Sequence, residues 1–294
     1  MTNSNNTNRF GKNIYITECP RDAMQGWKTF IPTEKKITYL NALLKTGFDT
    51  LDCGSFVSAK AIPQMADTKE VLSGLSLEGS ETKLLVIVAN MRGAEEAVKF
   101  ENVTYLGFPF SISPTFQLRN TNSTIEESVR RVADIQNLCL KNNKRLVIYL
   151  SMAFGNPYED EYDEEILLRW ADKMVKRDIE IISLADTVGI ATPGQIDIAL
   201  KTLIPAYPKT VFGVHLHSTE ANWKAKLEAA VNAGSKRFDG ALMGVGGCPL
   251  AKDELVGNMD TERMVNYFKD HYLLSSINEE ALQESLRLAK EIFA

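Results

Sequence analysis

The sequence predicts a closed (β/α)8 barrel of the TIM type, an α/β fold, with additional helices at its C-terminal end. Three observations predict it. Short runs rich in β-branched residues alternate with amphipathic helical stretches along the chain. There are eight such runs, at 14–19, 48–53, 84–89, 103–106, 146–151, 179–184, 211–217 and 237–242, and repeated β/α alternation closes a parallel sheet into a barrel. No Gly-rich phosphate turn follows the first run, as an open doubly wound sheet would require.

Taken in order, the first strand ends in Glu18-Cys19-Pro20-Arg21-Asp22, and a helix over 33–46 follows, closed by Gly47. The second strand carries Asp52 at its end and leads to a helical stretch at 70–75. The third is followed by a helix at 94–100, and the fourth by Ser111 and Ser113. Ser123 or Thr124 starts the helix over 124–141, with Glu126 and Glu127 in its first turn to complement the helix dipole. The fifth strand ends at Ser151, and Asp163-Glu164-Glu165 opens the helix over 164–177. Asp186 follows the sixth strand, where it can bind substrate or cap the helix over 193–206. The seventh strand ends in His215-Leu216-His217, and the helix over 219–233 is closed by Gly234. After the eighth come Gly244-Val245-Gly246-Gly247-Cys248-Pro249 and Asn258. Ser276-Ile277-Asn278-Glu279 reads as a capping box for a final helix with Leu282, Leu286, Ala289 and Ile292 on one face. Residues 1–12 form a polar, flexible tail, and 13–294 a single domain that includes the helical segment from about 270.

Bulk properties narrow the function. The 294 residues are 44% hydrophobic and 24% charged, with a net charge of −5, which argues against nucleic acid or an anionic membrane as main partner. No apolar run approaches the roughly 20 residues that span a bilayer. The first residues lack the apolar core of a signal peptide and the arginines of a transit peptide, so a cytoplasmic location is expected. Four cysteines without C-x-x-C spacing fit neither a zinc knuckle nor a disulfide scaffold. Cys53 and Cys139 read as small core residues.

In this fold the chemistry lies at the C-terminal ends of the strands. Two of the chain's three histidines sit at i and i+2 in the seventh strand, so both imidazoles project to one face. Asp22, His215, His217 and Asn258 together offer two oxygens and two nitrogens, a donor set suited to an octahedral divalent cation.

These residues resemble the 3-hydroxy-3-methylglutaryl-CoA lyase family of the DRE-TIM metallolyase superfamily. The resemblance runs from about Ile14 to about Glu262. It rests on Pro20-Arg21-Asp22 with Gln25, Ser55-Phe56-Val57-Ser58, Pro63-Gln64-Met65-Ala66-Asp67, Asp186-Thr187-Val188-Gly189, Thr192-Pro193-Gly194, His215-x-His217, Gly246-Gly247-Cys248-Pro249 and Gly257-Asn258. It implies Mg2+ or Mn2+ held by Asp22, His215, His217 and Asn258, and retro-Claisen cleavage of an acyl-CoA to acetyl-CoA and acetoacetate. It further implies Arg21 as stabiliser of the enolate oxygen and Cys248, on its Gly-rich loop, as the acid. His215 and Asp52 are both candidate bases, Asp52 as a free carboxylate. Arg21, Gln25, Ser55, Ser111 and Asp186 are the expected substrate contacts, and a homodimer or higher homo-oligomer the expected assembly.

The chain departs from the family's pattern at Ala23-Met24 (usually Gly-Leu), at Asp52 (usually Glu) and at Ser218 (commonly Asp). A Claisen-type synthase of the isopropylmalate or homocitrate kind, a lyase for a longer 3-hydroxyacyl-CoA and a non-catalytic barrel are the competing readings. The Gly-Gly-Cys-Pro loop favours the lyase over the synthase.

Overall fold

The computed structural model describes residues 14–247, 256–274 and 277–294. Eight parallel strands close in chain order: β1 (Tyr15–Glu18), β2 (Thr50–Ser55), β3 (Lys83–Ile87), β4 (Val103–Ser111), β5 (Arg145–Ser151), β6 (Ile181–Ala185), β7 (Val211–His215) and β8 (Arg237–Gly240), with β8 pairing back onto β1. Around them lie α1 (Pro20–Gln25), α2 (Thr33–Leu43), α3 (Thr68–Ser73), α4 (Met91–Ala97), α5 (Pro114–Thr121), α6 (Ile125–Lys141), α7 (Glu164–Val175), α8 (Pro193–Ala206), α9 (Trp223–Asn232), α10 (Thr261–Asp270) and α11 (Glu279–Ile292). The barrel expected from the sequence is the barrel observed. The polar tail lies outside the described residues, as do Cys248 and Ser276.

Strand alternation divides the core in two. Outward residues such as Leu51, Val86, Phe108, Ile148, Ile182 and Phe238 belong to one large apolar cluster beneath the helices. Inward residues Leu85, Ile87, Tyr105, Val147, Tyr149 and Ile181 form a smaller one. The rest of the interior is polar: Thr17, Asp52, Ser183, Arg237 and Asp239 are all buried there. Apolar residues therefore fill one side of the barrel, and ionic groups the side built from β1, β2, β7 and β8.

Caps fix the helix starts. Thr124 and Glu127 form a capping box on α6, Asp163 accepts from Ile166 N at 2.6 Å, and Thr192 with Gln195 boxes α8, leaving Asp186 out of any capping role. Gly47 and Gly234 adopt φ of 88° and 94°, the left-handed region that ends a helix.

Four expectations need correction. β7 stops at His215, so His217 lies beyond the strand, in an isolated antiparallel bridge with Asn258. β4 continues through Gly107 to Ser111; a Cβ on Gly107 would fall 2.6 Å from Ile87 Cδ1 in the crowded interior. Asn278, not Ser276, caps α11, accepting from Ala281 N. Helices α1, α5 and α10 were not anticipated. The C-terminal helix packs on the barrel itself: Asn278 N–H donates to Thr46 O at 2.9 Å, and Phe293 stacks edge-on to Trp27 at 5.3 Å. Among the described residues no helix is long and apolar enough to cross a membrane.

Candidate active site

Helix α1 gathers the first part of the site. Pro20 opens it, where a missing N–H is harmless, and the single turn that follows puts Arg21, Asp22 and Gln25 at one-, three- and four-residue spacings. Arg21 Nη1 donates to Asp22 Oδ1 at 3.0 Å and to Gln25 Oε1 at 2.8 Å, while Gln25 Nε2 donates to Asp22 Oδ1 at 2.7 Å. The other edge of the guanidinium grips Asp52 from β2: Nε lies 3.0 Å and Nη2 2.6 Å from Oδ2. Asp52 is thus no free carboxylate. Both its oxygens accept from Arg21 at 1% exposure, inside β2 rather than at its end. A carboxylate one methylene shorter than glutamate suffices for that grip. Arg21 and Asp22 form a buried pair. Of the five guanidinium N–H groups, one on Nη2 has no partner among the described residues.

The second part is the cluster of Asp22, His215 and His217, whose ligand-type atoms lie within 4.8 Å of one another. Burial alone would push Asp22 up, but Arg21, then the two imidazoles, and the Asn258 amide hold it at about 2. His217 is pushed down to about 4 by burial and by His215, which leaves it the neutral, lone-pair form at neutral pH. Asn258 completes the set. Its Nδ2 donates to Asp22 Oδ2 and Val245 O, both at 2.9 Å, and its buried Oδ1 has no hydrogen-bond partner. Two anionic or neutral oxygens and two imidazoles, one oxygen left unsatisfied, fit a divalent cation. The root of the Gly-rich loop packs directly on this cluster: Gly246, at φ 100°, would place a Cβ 2.7 Å from Asn258 Nδ2 and 2.9 Å from Asp22 O.

A cavity of about 380 Å3 opens on these groups. Arg21, Asp22, Gln25, His215 and His217 line one wall; Val57, Ile62, Ile87 and Phe116 line another; Arg119 from α5 adds a second cation, 4.7 Å over the Tyr158 ring. Three expected substrate contacts do not reach it. Ser55 and Ser111, the buried last residues of β2 and β4, accept from Val57 N and Ser113 N. Asp186 Oδ1 accepts from Ala191 N at 3.0 Å and Oδ2 from Lys226 Nζ at 2.6 Å, so both oxygens are taken internally.

Residues 13–288 match the family model described as HMGL-like. The chain belongs to the HMGL-like family. It is 31% identical over 283 residues to the hydroxymethylglutaryl-CoA lyase of Bacillus subtilis, covering 96% of this chain and 94% of that one. It is 33% identical over 277 residues to the mitochondrial hydroxymethylglutaryl-CoA lyase of Mus musculus, covering 93% and 84%. Among solved structures, the B. subtilis HMG-CoA lyase superposes with a TM-score of 0.89 at 30% identity, covering 96% of this chain and 94% of that one. An A. baumannii HMG-CoA lyase in complex with coenzyme A and 3-methylmalate gives 0.88 at 30% identity, over 96% and 91%.

Against that family background, the buried charges around the site stand out as residues the sequence did not disclose. Asp239 is the β8 neighbour of His215 in the strand register, its Oδ2 3.5 Å from His215 Nδ1 and accepting from Ser183 Oγ at 3.2 Å. Its other oxygen lies 3.8 Å from Arg237 Nε, and it, Thr17 Oγ1 and Tyr149 OH are buried without a hydrogen bond among the described residues. Cys19 completes a second cluster with His215 and Asp239. Burial and the carboxylates of Asp239, Asp52, Asp22 and Glu18 push its thiol up, which keeps it a protonated, poor ligand. Inward alternation on β8, counted from the apolar Phe238, was the signal that could have exposed Arg237 and Asp239.

Glu18 ties the site's frame together. Its Oε1 accepts from Leu242 N at 2.8 Å and Oε2 from Thr261 Oγ1 at 2.6 Å, so one carboxyl pins both ends of the stretch that carries Cys248 and Asn258. Burial pushes it up to about 8, against 4.5 in the open chain. Below pH 4.5 both states hold the proton and its contribution to stability is complete. As pH rises toward 8 the unfolded chain loses the proton first, so stability falls by up to about 1.4 kcal/mol per pH unit. Glu18→Gln, which mimics the protonated carboxyl and does not titrate, should therefore gain stability relative to wild type in denaturant melts as pH rises from about 5 to about 8. A constant difference across that range would show Glu18 ionised in the fold.

Proposed function

We propose that this protein is a divalent-metal-dependent carbon–carbon lyase that cleaves 3-hydroxy-3-methylglutaryl-CoA to acetyl-CoA and acetoacetate. One observation carries the reading. A single short helix presents to one cavity both a guanidinium with an unspent N–H and the carboxylate that meets two imidazoles. The names of its relatives and the coenzyme A held by the A. baumannii neighbour support the substrate.

Asp22, His215, His217 and Asn258 would hold Mg2+ or Mn2+. Such an ion supplies Lewis acidity, lowering the pKa of a C3 hydroxyl and orienting the acyl end of the substrate. The protein's own groups then divide the work. His215 is the base that takes the hydroxyl proton, because it lines the cavity and Asp52 does not; an imidazole has one lone pair, so in that step the ion would rest on Asp22, His217 and Asn258. The electron pair of the former O–H bond forms the acetoacetate ketone as the C2–C3 bond breaks. Negative charge moves onto the thioester oxygen, where the remaining Nη2 N–H of Arg21 donates to it. Asp52 and Gln25 keep that fork in place, which makes Asp52 a positioning residue. Cys248, outside the described residues, protonates C2 to give acetyl-CoA. Phe116 and its apolar neighbours exclude water from the developing carbanion. A homodimer or higher homo-oligomer and a cytoplasmic location belong to the same proposal.

The test is a product balance. Incubation with 3-hydroxy-3-methylglutaryl-CoA should yield acetyl-CoA and acetoacetate in equal amounts. Release of free coenzyme A from acetyl-CoA plus a 2-oxo acid, with no cleavage of the first substrate, would replace the lyase with a synthase.

A further inference from the structure

Lys226 sits in the first turn of α9, whose other lysine, Lys224, faces solvent, yet it is 1% exposed. A buried ammonium must have its three N–H groups satisfied. Here each has a partner: Asp186 Oδ2 at 2.6 Å, Gly189 O at 2.9 Å and His217 O at 2.8 Å. The three come from different places. Asp186 and Gly189 belong to the loop after β6, and His217 to the segment beyond the end of β7.

The His217 contact matters because the barrel no longer holds that residue. Beyond His215 the ladder has ended, and what fixes the backbone is a short run of local bonds. Met259 N–H donates to Leu216 O at 3.0 Å and Ser218 N–H to Gly257 O at 2.9 Å, tying this segment to the one that carries Asn258. Neither bond uses the His217 carbonyl. Lys226 alone among the described residues is bonded to that oxygen, and it does so from a position locked by the Asp186 carboxylate. The N–H of the same peptide, on Ser218, is the one that donates to Gly257 O, so Lys226 and Gly257 hold the two edges of one peptide plane, and loss of Lys226 frees the edge next to the Cα that carries the His217 imidazole.

We infer that Lys226 is a positioning residue of the metal site, acting through the His217 carbonyl, with Asp186 serving to hold Lys226 rather than to touch substrate. The inference rests on the metal-site reading above. Partners of this kind typically change metal affinity by about 10- to 100-fold when removed.

The test is Mn2+ titration calorimetry, paired with the visible absorption of Co2+, on wild type, Lys226→Met and the Lys226→Met/Asp186→Asn double variant. The double variant carries no unpaired buried charge, so it keeps the test alive where the single variant fails to fold. Wild type should bind one ion, and both variants should lose about 10- to 100-fold in Mn2+ affinity with an altered Co2+ spectrum. Affinity within twofold of wild type in Lys226→Met, or restored in the double variant, would overturn the role and leave Lys226 a charge partner of Asp186 only. Absence of binding by wild type itself would instead remove the metal-site reading, and this inference with it.

Discussion

Replacing Arg21 with methionine is expected to lower kcat by about 10²–10³ while changing KM far less, since its free N–H acts on charge that exists only as the C2–C3 bond breaks. The same substitution strips two carboxylates of their partner. Asp52 is 1% exposed, and removing one member of a buried pair costs about 3–5 kcal/mol. Arg21→Met/Asp52→Asn separates the two effects: it should regain much of the lost stability, read by denaturant melts, and none of the turnover. Arg21→Lys should rescue little, because an ammonium cannot bridge Asp52, Asp22 and Gln25 with one planar fork. Turnover within tenfold of wild type in Arg21→Met would take the guanidinium out of the chemistry.

The barrel was legible because its signals are local and repeated. Strands such as β3 and β5 are buried on both faces and read as apolar runs, and helices such as α6 and α7 announce themselves by their caps, Thr124 and Asp163. The mouth was legible through the same logic, since Asp22, His215 and Asn258 follow strand ends and closure brings strand ends together. Helix α1 escaped because six residues carry no helical period; Ser113-Pro114, a cap followed by proline, was a usable and unused signal for α5.

The larger loss was in the ionic pairings. Asp52 read as a free base because nothing in a sequence says that a guanidinium 31 residues earlier lies against it. Lys226 carries no mark in the sequence, and its buried charge is matched by Asp186, 40 residues away. Such groups obey no periodicity; only the closed barrel determines who faces whom. The lesson for Asp186 is similar, since a substrate contact and an anchor for a buried cation look alike in one dimension.

The second large effect is the one on which the account stands. On the proposed reading Asp22, His215, His217 and Asn258 would hold a cation, and without it the substrate's hydroxyl proton would be bound too tightly for an imidazole to remove. Chelation of the ion should therefore abolish cleavage without unfolding the barrel, whose core lies in the apolar layer between strands and helices. The most direct measurement is acetoacetate release from 3-hydroxy-3-methylglutaryl-CoA by chelator-treated protein, before and after adding Mg2+ or Mn2+. The account predicts negligible release before and full recovery after, saturating at one ion per chain. Undiminished release by protein shown to be free of metal would contradict it.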